Sequence, residues 1–228
     1  MNDKSLLKTS AGDFPLDEYR LKADGGREWK ILHVSAVLSH EEESYFLREL
    51  REHLPYGVTL WAAAIALAHE VASRCAAFSG KRVLELGSGT GLPGIVAASQ
   101  GARVVQTDRN ELVMSLCRRN VALNAIETIE QQLGDWVNWT DAGRYDWIFG
   151  SDILYGEEMH PHLRRIFESN LAPDGRILLS DPFRLTSFKL LEALEADGWL
   201  IRISKWSIGE EPSPRPIGVF EIFPPDRK

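Results

Sequence analysis

The chain has 228 residues, 44% hydrophobic and 26% charged, which is ordinary for a soluble globular protein with one large core or at most two small ones. Its formal net charge of −7 argues against a general nucleic-acid binder, which would carry a basic face. Two isolated cysteines, Cys75 and Cys117, no apolar run near the ~18 residues of a membrane helix, and no signal-peptide core after Met1 lead us to expect a monomer in a reducing, cytoplasmic compartment, engaging neither membrane nor nucleic acid.

Residues 1–17 are polar and read as loose chain. Tyr19 to Lys22 and Glu28 to Val34 flank Asp24-Gly25-Gly26, a hairpin signal. Ser39 offers a cap to a short helix reaching Leu50, and Pro55 and Gly57 break the pattern. The alanine-rich run from Trp61 to Phe78 has helical spacing and is followed by Gly80. An alternation then begins. Strands are expected at Arg82 to Leu86, Arg103 to Thr107, Ile129 to Leu133, Tyr145 to Ser151 and Arg176 to Ser180. Helices are expected at Pro93 to Gln100, Glu111 to Asn120, His160 to Asn170 and Ser187 to Asp197. Two strands, Trp199 to Trp206 and Ile217 to Phe223, close the chain. Strands alternating with helices imply a doubly wound parallel sheet, Rossmann-like, with both faces covered. The last two strands are joined by a proline-rich link with no helical pattern, so the final one runs antiparallel. The expected fold is α/β, a seven-stranded sheet of six parallel strands and one reversed. Residues 1–54 form an N-terminal extension of hairpin and short helix, and 55–228 form the main domain.

The most informative stretch is Val83 to Gly94, V-L-E-L-G-S-G-T-G-L-P-G, an apolar strand that ends in an acid and turns through glycines into a helix. Two ligands compete for it. Gly89-x-Gly91-x-x-Gly94 satisfies the dinucleotide fingerprint, with Asp108 about 20 residues on to hold a ribose. Glu85-x-Gly87-x-Gly89-x-Gly91 instead resembles motif I of the seven-stranded S-adenosylmethionine methyltransferases, whose cofactor has no pyrophosphate but carries a sulfonium and an ammonium that favour a nearby carboxylate such as Glu85. A third possibility is a glycine-rich turn with no ligand.

In an open α/β sheet, ligands sit beyond the carboxyl ends of the strands. The residues there are polar at every strand: Glu85, Gly87 and Ser88; Asp108; Asp135 and Trp136; Ser151 and Asp152; Asp181. Asp108 could accept both ribose hydroxyls, or cap the next helix. Trp136 could stack on adenine while Asp135 takes its amino group, or simply pack. Trp61 could lie under the cofactor or in the core. Asp181 reads as a turn residue.

With the glycine motif upstream, Asp152-x-x-Tyr155 after the fourth strand resembles the seven-β-strand protein-lysine methyltransferases that modify chaperones and translation factors. Gly57-Val58-Thr59-Leu60-Trp61, Asp135-Trp136 and Arg184 followed by Phe188 extend the similarity over roughly residues 55–200. The resemblance implies that Trp61, Gly87 to Gly89, Asp108, Trp136 and Ser151 line an S-adenosylmethionine site. It also implies that Asp152 and Tyr155 face the methyl acceptor, a lysine on a protein substrate. The Pro-Pro of the base amino-methyltransferases is missing from 152–155.

The expected chemistry is in-line attack of a nitrogen lone pair on the methyl group. A lysine of pKa ~10.4 must give up its proton, at roughly 4.6 kcal/mol near pH 7. Desolvation helps, while Asp152 alone favours the ammonium, so its useful role is orientation. Glu41 to Glu43 and Glu157 with Glu158 could form an acidic rim that attracts a basic partner, or a solvated face. Three other readings stay open: transfer to a small amine or heteroaromatic nitrogen, an NAD-dependent oxidoreductase, and a binding module without catalysis. No metal is expected, since His160-x-His162 alone is not ligand spacing.

Overall fold

The structure, a computed structural model, describes residues 6–10 and 12–225. It begins with a hairpin of β1 (Leu6–Thr9) and β2 (Gly12–Pro15), where the polar sequence predicts loose chain. Residues 1–5 and 11 of that stretch lie outside the described residues. Polarity misled here because the hairpin is anchored from outside: Leu7 is buried against Val58, Val113 and Leu116, and Arg119 donates to the Leu6 carbonyl. A second hairpin pairs β3 (Asp17–Ala23) with β4 (Arg27–His33) across the Asp24–Gly26 turn, as expected.

Next come β5 (Ser35–Val37) and α1 (His40–Tyr45). Ser39 caps α1 through a capping box with Glu42. The expected helix to Leu50 is shorter, because Phe46–Leu50 widens into a π turn that buries Phe46. β6 (Thr59–Trp61) pairs in parallel with β5 and leads into α2 (Ala62–Ser73), which ends before the residue expected.

The main sheet takes β7 (Arg82–Leu86), β8 (Arg103–Asp108), β9 (Ile129–Leu133), β10 (Tyr145–Ser151), β11 (Leu171–Asp181), β12 (Leu200–Ile208) and β13 (Arg215–Phe223). Its order is β12-β13-β11-β10-β7-β8-β9. Only β13, inserted between β11 and β12, runs against the rest. The helices between are α3 (Leu92–Ser99), α4 (Glu111–Leu123), α5 (His160–Asn170) and α6 (Leu185–Ala196).

Alternation along each strand splits the core into two layers. Val83, Val104, Trp147, Phe149 and Val219 face α2 and α3, while Leu84, Leu86, Ile148, Leu179 and Phe220 face α5 and α6. The chain order reverses between β7 and β10, so their carboxyl ends open a crevice, the topological switch point where such sheets bind ligands. The N-terminal segment is stitched into the same body. Leu21, Trp29 and Ile31 join the α2–α3 core. Asn120 of α4 and Asn124 just past its end bond the main chain of Leu32 and Lys30, supplying the partners that a sheet edge needs.

Candidate active site

A cleft of about 340 Å³ opens at the switch point. On its floor the main chain leaves β7 through Gly87, Gly89 and Gly91, at φ 60°, 54° and 82°, a left-handed path that side chains resist. A Cβ at Gly87 would also stand 3.2 Å from Trp136 and 3.1 Å from Ile153. Gly91 packs on Cys117 and Gln106, where a Cβ would come within 2.6 Å and 2.8 Å.

Ten of the eleven expected site residues line the cleft: Trp61, Gly87, Ser88, Gly89, Asp108, Asp135, Trp136, Ser151, Asp152 and Tyr155. Glu85 does not. It lies on the Val83 face of β7, under the first turn of α3, and is 2% exposed. One oxygen accepts the Gly94 N–H at 3.2 Å and the other accepts Gln106 Nε2 at 2.7 Å. Burial raises its pKa to about 7, against the pull of those two donors. Glu85 therefore braces the loop from behind, outside the lining of the cleft. Gln106 carries the brace further, donating to the Gly91 carbonyl and accepting from Cys117 and Gln131.

Asp108 ends β8 beside the loop. Its carboxylate accepts the N–H groups of Gly89 at 3.3 Å and Asn110 at 3.1 Å, and burial raises its pKa. Asn110, not Asp108, caps α4. Asp135 is exposed; it folds its own loop by accepting from Val137 and Asn138, bonds that lower its pKa. Arg165 donates to the Trp136 carbonyl and fixes that turn. Trp139 turns away and donates to Asn170.

The opposite side of the cleft is charged and aromatic. Asp152 adopts φ 54°, donates its N–H to the Ser180 carbonyl, and presents a side chain only 10% exposed. Arg184 forks onto it: Nη1 bonds Oδ1, and Nη2 lies 3.4 Å from Oδ2. The same guanidinium reaches Glu43 at 3.1 Å, and Glu43 in turn accepts Arg215 at 2.6 Å. Burial raises the Asp152 pKa to about 6, while Arg184 pulls it back down and the neighbouring Asp181 pushes it up. Beyond this network stands an aromatic wall. Tyr155 stacks on Tyr56 with centroids 6.3 Å apart, Tyr56 stacks on Trp61 at 5.9 Å, and Phe46 packs against both Tyr56 and Trp61.

The family model for lysine methyltransferases matches residues 40–188. The chain belongs to this family. It is 34% identical over 183 residues to the protein N-lysine methyltransferase METTL21A of Danio rerio, covering 77% of this chain and 72% of that one. It is 32% identical over 136 residues to the histone-arginine methyltransferase METTL23 of Mus musculus, covering 57% of this chain and 51% of that protein. Among solved structures it resembles the ribosomal protein L11 methylase of Lactobacillus delbrueckii subsp. bulgaricus, with TM-score 0.55 and 28% identity over 69% of this chain and 77% of that one. As a member of the lysine methyltransferase family, the protein is an S-adenosylmethionine-dependent methyltransferase.

The family match starts at residue 40, inside α1, rather than at the expected boundary of 55. That placement agrees with the cleft, where α1 and the π turn contribute Glu43 and Leu47. Sequence reasoning had Glu43 only as part of an acidic run and Tyr56 not at all. Arg184 entered only as part of a resemblance, without a role. Nothing in local spacing marks these three, because β5–β6 pairing and the start of α6 bring them in from distant segments.

Proposed function

We propose that this methyltransferase acts on the side-chain nitrogen of a lysine in a protein substrate. The observation that carries the reading is a single cleft with two unlike sides, a bare glycine cradle ending at Asp108 and a compensated carboxylate, Asp152, beside an open aromatic wall.

The residues present fit S-adenosylmethionine better than a dinucleotide. A pyrophosphate needs the free N–H groups at a helix N-terminus. Here the Gly94 N–H in the first turn of α3 is already taken by the protein's own carboxylate, Glu85. Gly87, Ser88 and Gly89 would hold the amino-acid end, Asp108 would accept the ribose hydroxyls, and Trp136 with Asp135 would hold the adenine, with Trp61 and Ser151 completing the walls. When bound, this cofactor supplies an electrophilic methyl group on a sulfonium.

The protein's own part concerns the acceptor. An amine at the Asp152 side leaves water for a slot walled by Tyr155, Tyr56 and Ile153, which lowers its pKa and offsets part of the roughly 4.6 kcal/mol of deprotonation. Asp152 accepts an N–H and so aims the lone pair across the cleft. Tyr155 and Tyr56 are 52% and 46% exposed, so the slot opens outward to a side chain on a large partner instead of enclosing a small amine. The named lysine and arginine methyltransferases among the relatives support a protein acceptor. A cytoplasmic location is part of the same proposal, supported by Cys75, an exposed free thiol.

The test is to incubate cell lysate with methyl-tritiated S-adenosylmethionine and either wild-type or Asp152→Ala protein, then hydrolyse the labelled proteins to amino acids. Label in methyllysines, present with wild type and lost with the variant, supports the reading. Label confined to methylarginine, or to the low-molecular-weight fraction, would falsify it.

A further inference from the structure

We propose that Arg184, moored by Glu43, is a positioning residue that makes the acceptor side admit an uncharged lysine amine and reject a guanidinium. The inference rests on the functional reading above and names what selects its substrate.

A bare carboxylate beside the transfer position would be a trap. It would hold a lysine as ammonium, with no lone pair to give, and would hold an arginine better still through a two-point fork. In this protein the fork is already filled. Arg184 contacts both Asp152 oxygens, and its position is fixed from three directions. Its own N–H donates to Asp181 Oδ1 at 2.7 Å, its Nη2 to Glu43 at 3.1 Å, and its Nη1 lies 3.7 Å from Asp181 Oδ2. Glu43 is itself held by Arg215, which is 5% exposed.

The groups facing this point are Asp152, Asp181 and Glu43, against Arg184 and Arg215. His40 lies 3.9 Å from Glu43 on the solvent side, and Arg109 and Asp108 act on Tyr155 from across the cleft. The carboxylate therefore keeps lone pairs for a neutral N–H while its charge is matched. An incoming lysine can respond by releasing its proton. An arginine, protonated at any accessible pH, cannot, and would sit cation against cation beside Arg184.

Sinefungin tests this without knowledge of the acceptor, because it carries an amine where the cofactor carries its methylsulfonium. The readout is the ratio of its affinity to that of S-adenosylhomocysteine, measured by calorimetry on full-length protein. In Arg184→Gln the ratio rises about tenfold, the equivalent of one unit of amine pKa. In Arg184→Lys, which keeps the charge, it stays within threefold of wild type. A merely structural role moves both affinities together and leaves the ratio unchanged, which overturns the proposal. Wild type alone gives a second reading if the glutamine variant does not fold. Titration in buffers of different ionisation enthalpy shows sinefungin releasing more protons on binding than S-adenosylhomocysteine, and equal counts overturn the proposal. If wild type binds neither compound, the reading of the cleft itself falls. If both bind and the ratio ignores Arg184, only this inference falls.

Discussion

Asp152 combines a strained backbone, near-complete burial and a matched charge. Burial raises its pKa to about 6, so falling pH protonates it earlier than an ordinary carboxylate. A protonated Asp152 loses the acceptor that orients the amine. Activity is therefore expected to fall more steeply as pH drops through about 6 than the acceptor lysine's own protonation accounts for. Asp152→Asn lowers kcat by roughly 10²-fold, the scale of lost orientation, and removes that extra steepening, leaving the slope set by the lysine. A pH–rate profile of both proteins checks this, and the same steepening near pH 6 in the variant contradicts it. The placement of Asp152 and Tyr155 in the cleft was legible because both lie within one strand-end motif. The partner that defines it, Arg184, is 32 residues away and only folding brings it near.

At the scale of single elements, the turn from β7 to α3 shows how a motif can be right while one of its residues is misassigned. Charge alone predicts Glu85 as a neighbour of a cation. The alternation Val83, Glu85 against Leu84, Leu86 was also in the sequence, and it places the carboxylate on the α3 face. The pleat outranks the charge argument, because a strand residue cannot choose its side. Gly94 is explained by the same geometry. It is the third glycine of the dinucleotide fingerprint, yet a Cβ there would stand 2.7 Å from Gln106 Nε2 and closer still to the Glu85 carboxylate. Gly94→Ala is expected to destabilise the protein by roughly 1–3 kcal/mol, the usual cost of overpacking, and to weaken cofactor binding through the displaced loop. Thermal unfolding with and without S-adenosylhomocysteine checks it; an unchanged Tm contradicts the brace.

For the whole molecule, the seven strands, the reversal of the last and the two helical layers followed from the alternation of patterns, whereas the order of strands is visible only in the folded sheet. The N-terminal segment was far less legible. Its strands are short and polar, and only tertiary contacts hold them: Leu7 on α4, Trp29 and Ile31 in the α2–α3 core, and β5 beside β6. Glu43 and Leu47 then reach the cleft from that segment. We therefore expect the fragment 55–228 not to fold alone. It would lose several buried side chains worth about 2–5 kcal/mol each, against a total stability of about 5–15 kcal/mol. Circular dichroism and unfolding of the fragment check this; a cooperative transition like that of the full chain would restore residues 1–54 to a separable extension.

The most direct test of the account is a crystal structure of the protein with S-adenosylhomocysteine. The ribose is expected on Asp108, the amino-acid end against Gly87 to Gly89, and the sulfur turned toward the Asp152 side. A nucleoside bound in the opposite sense, or a ligand lying outside this cleft, would contradict it.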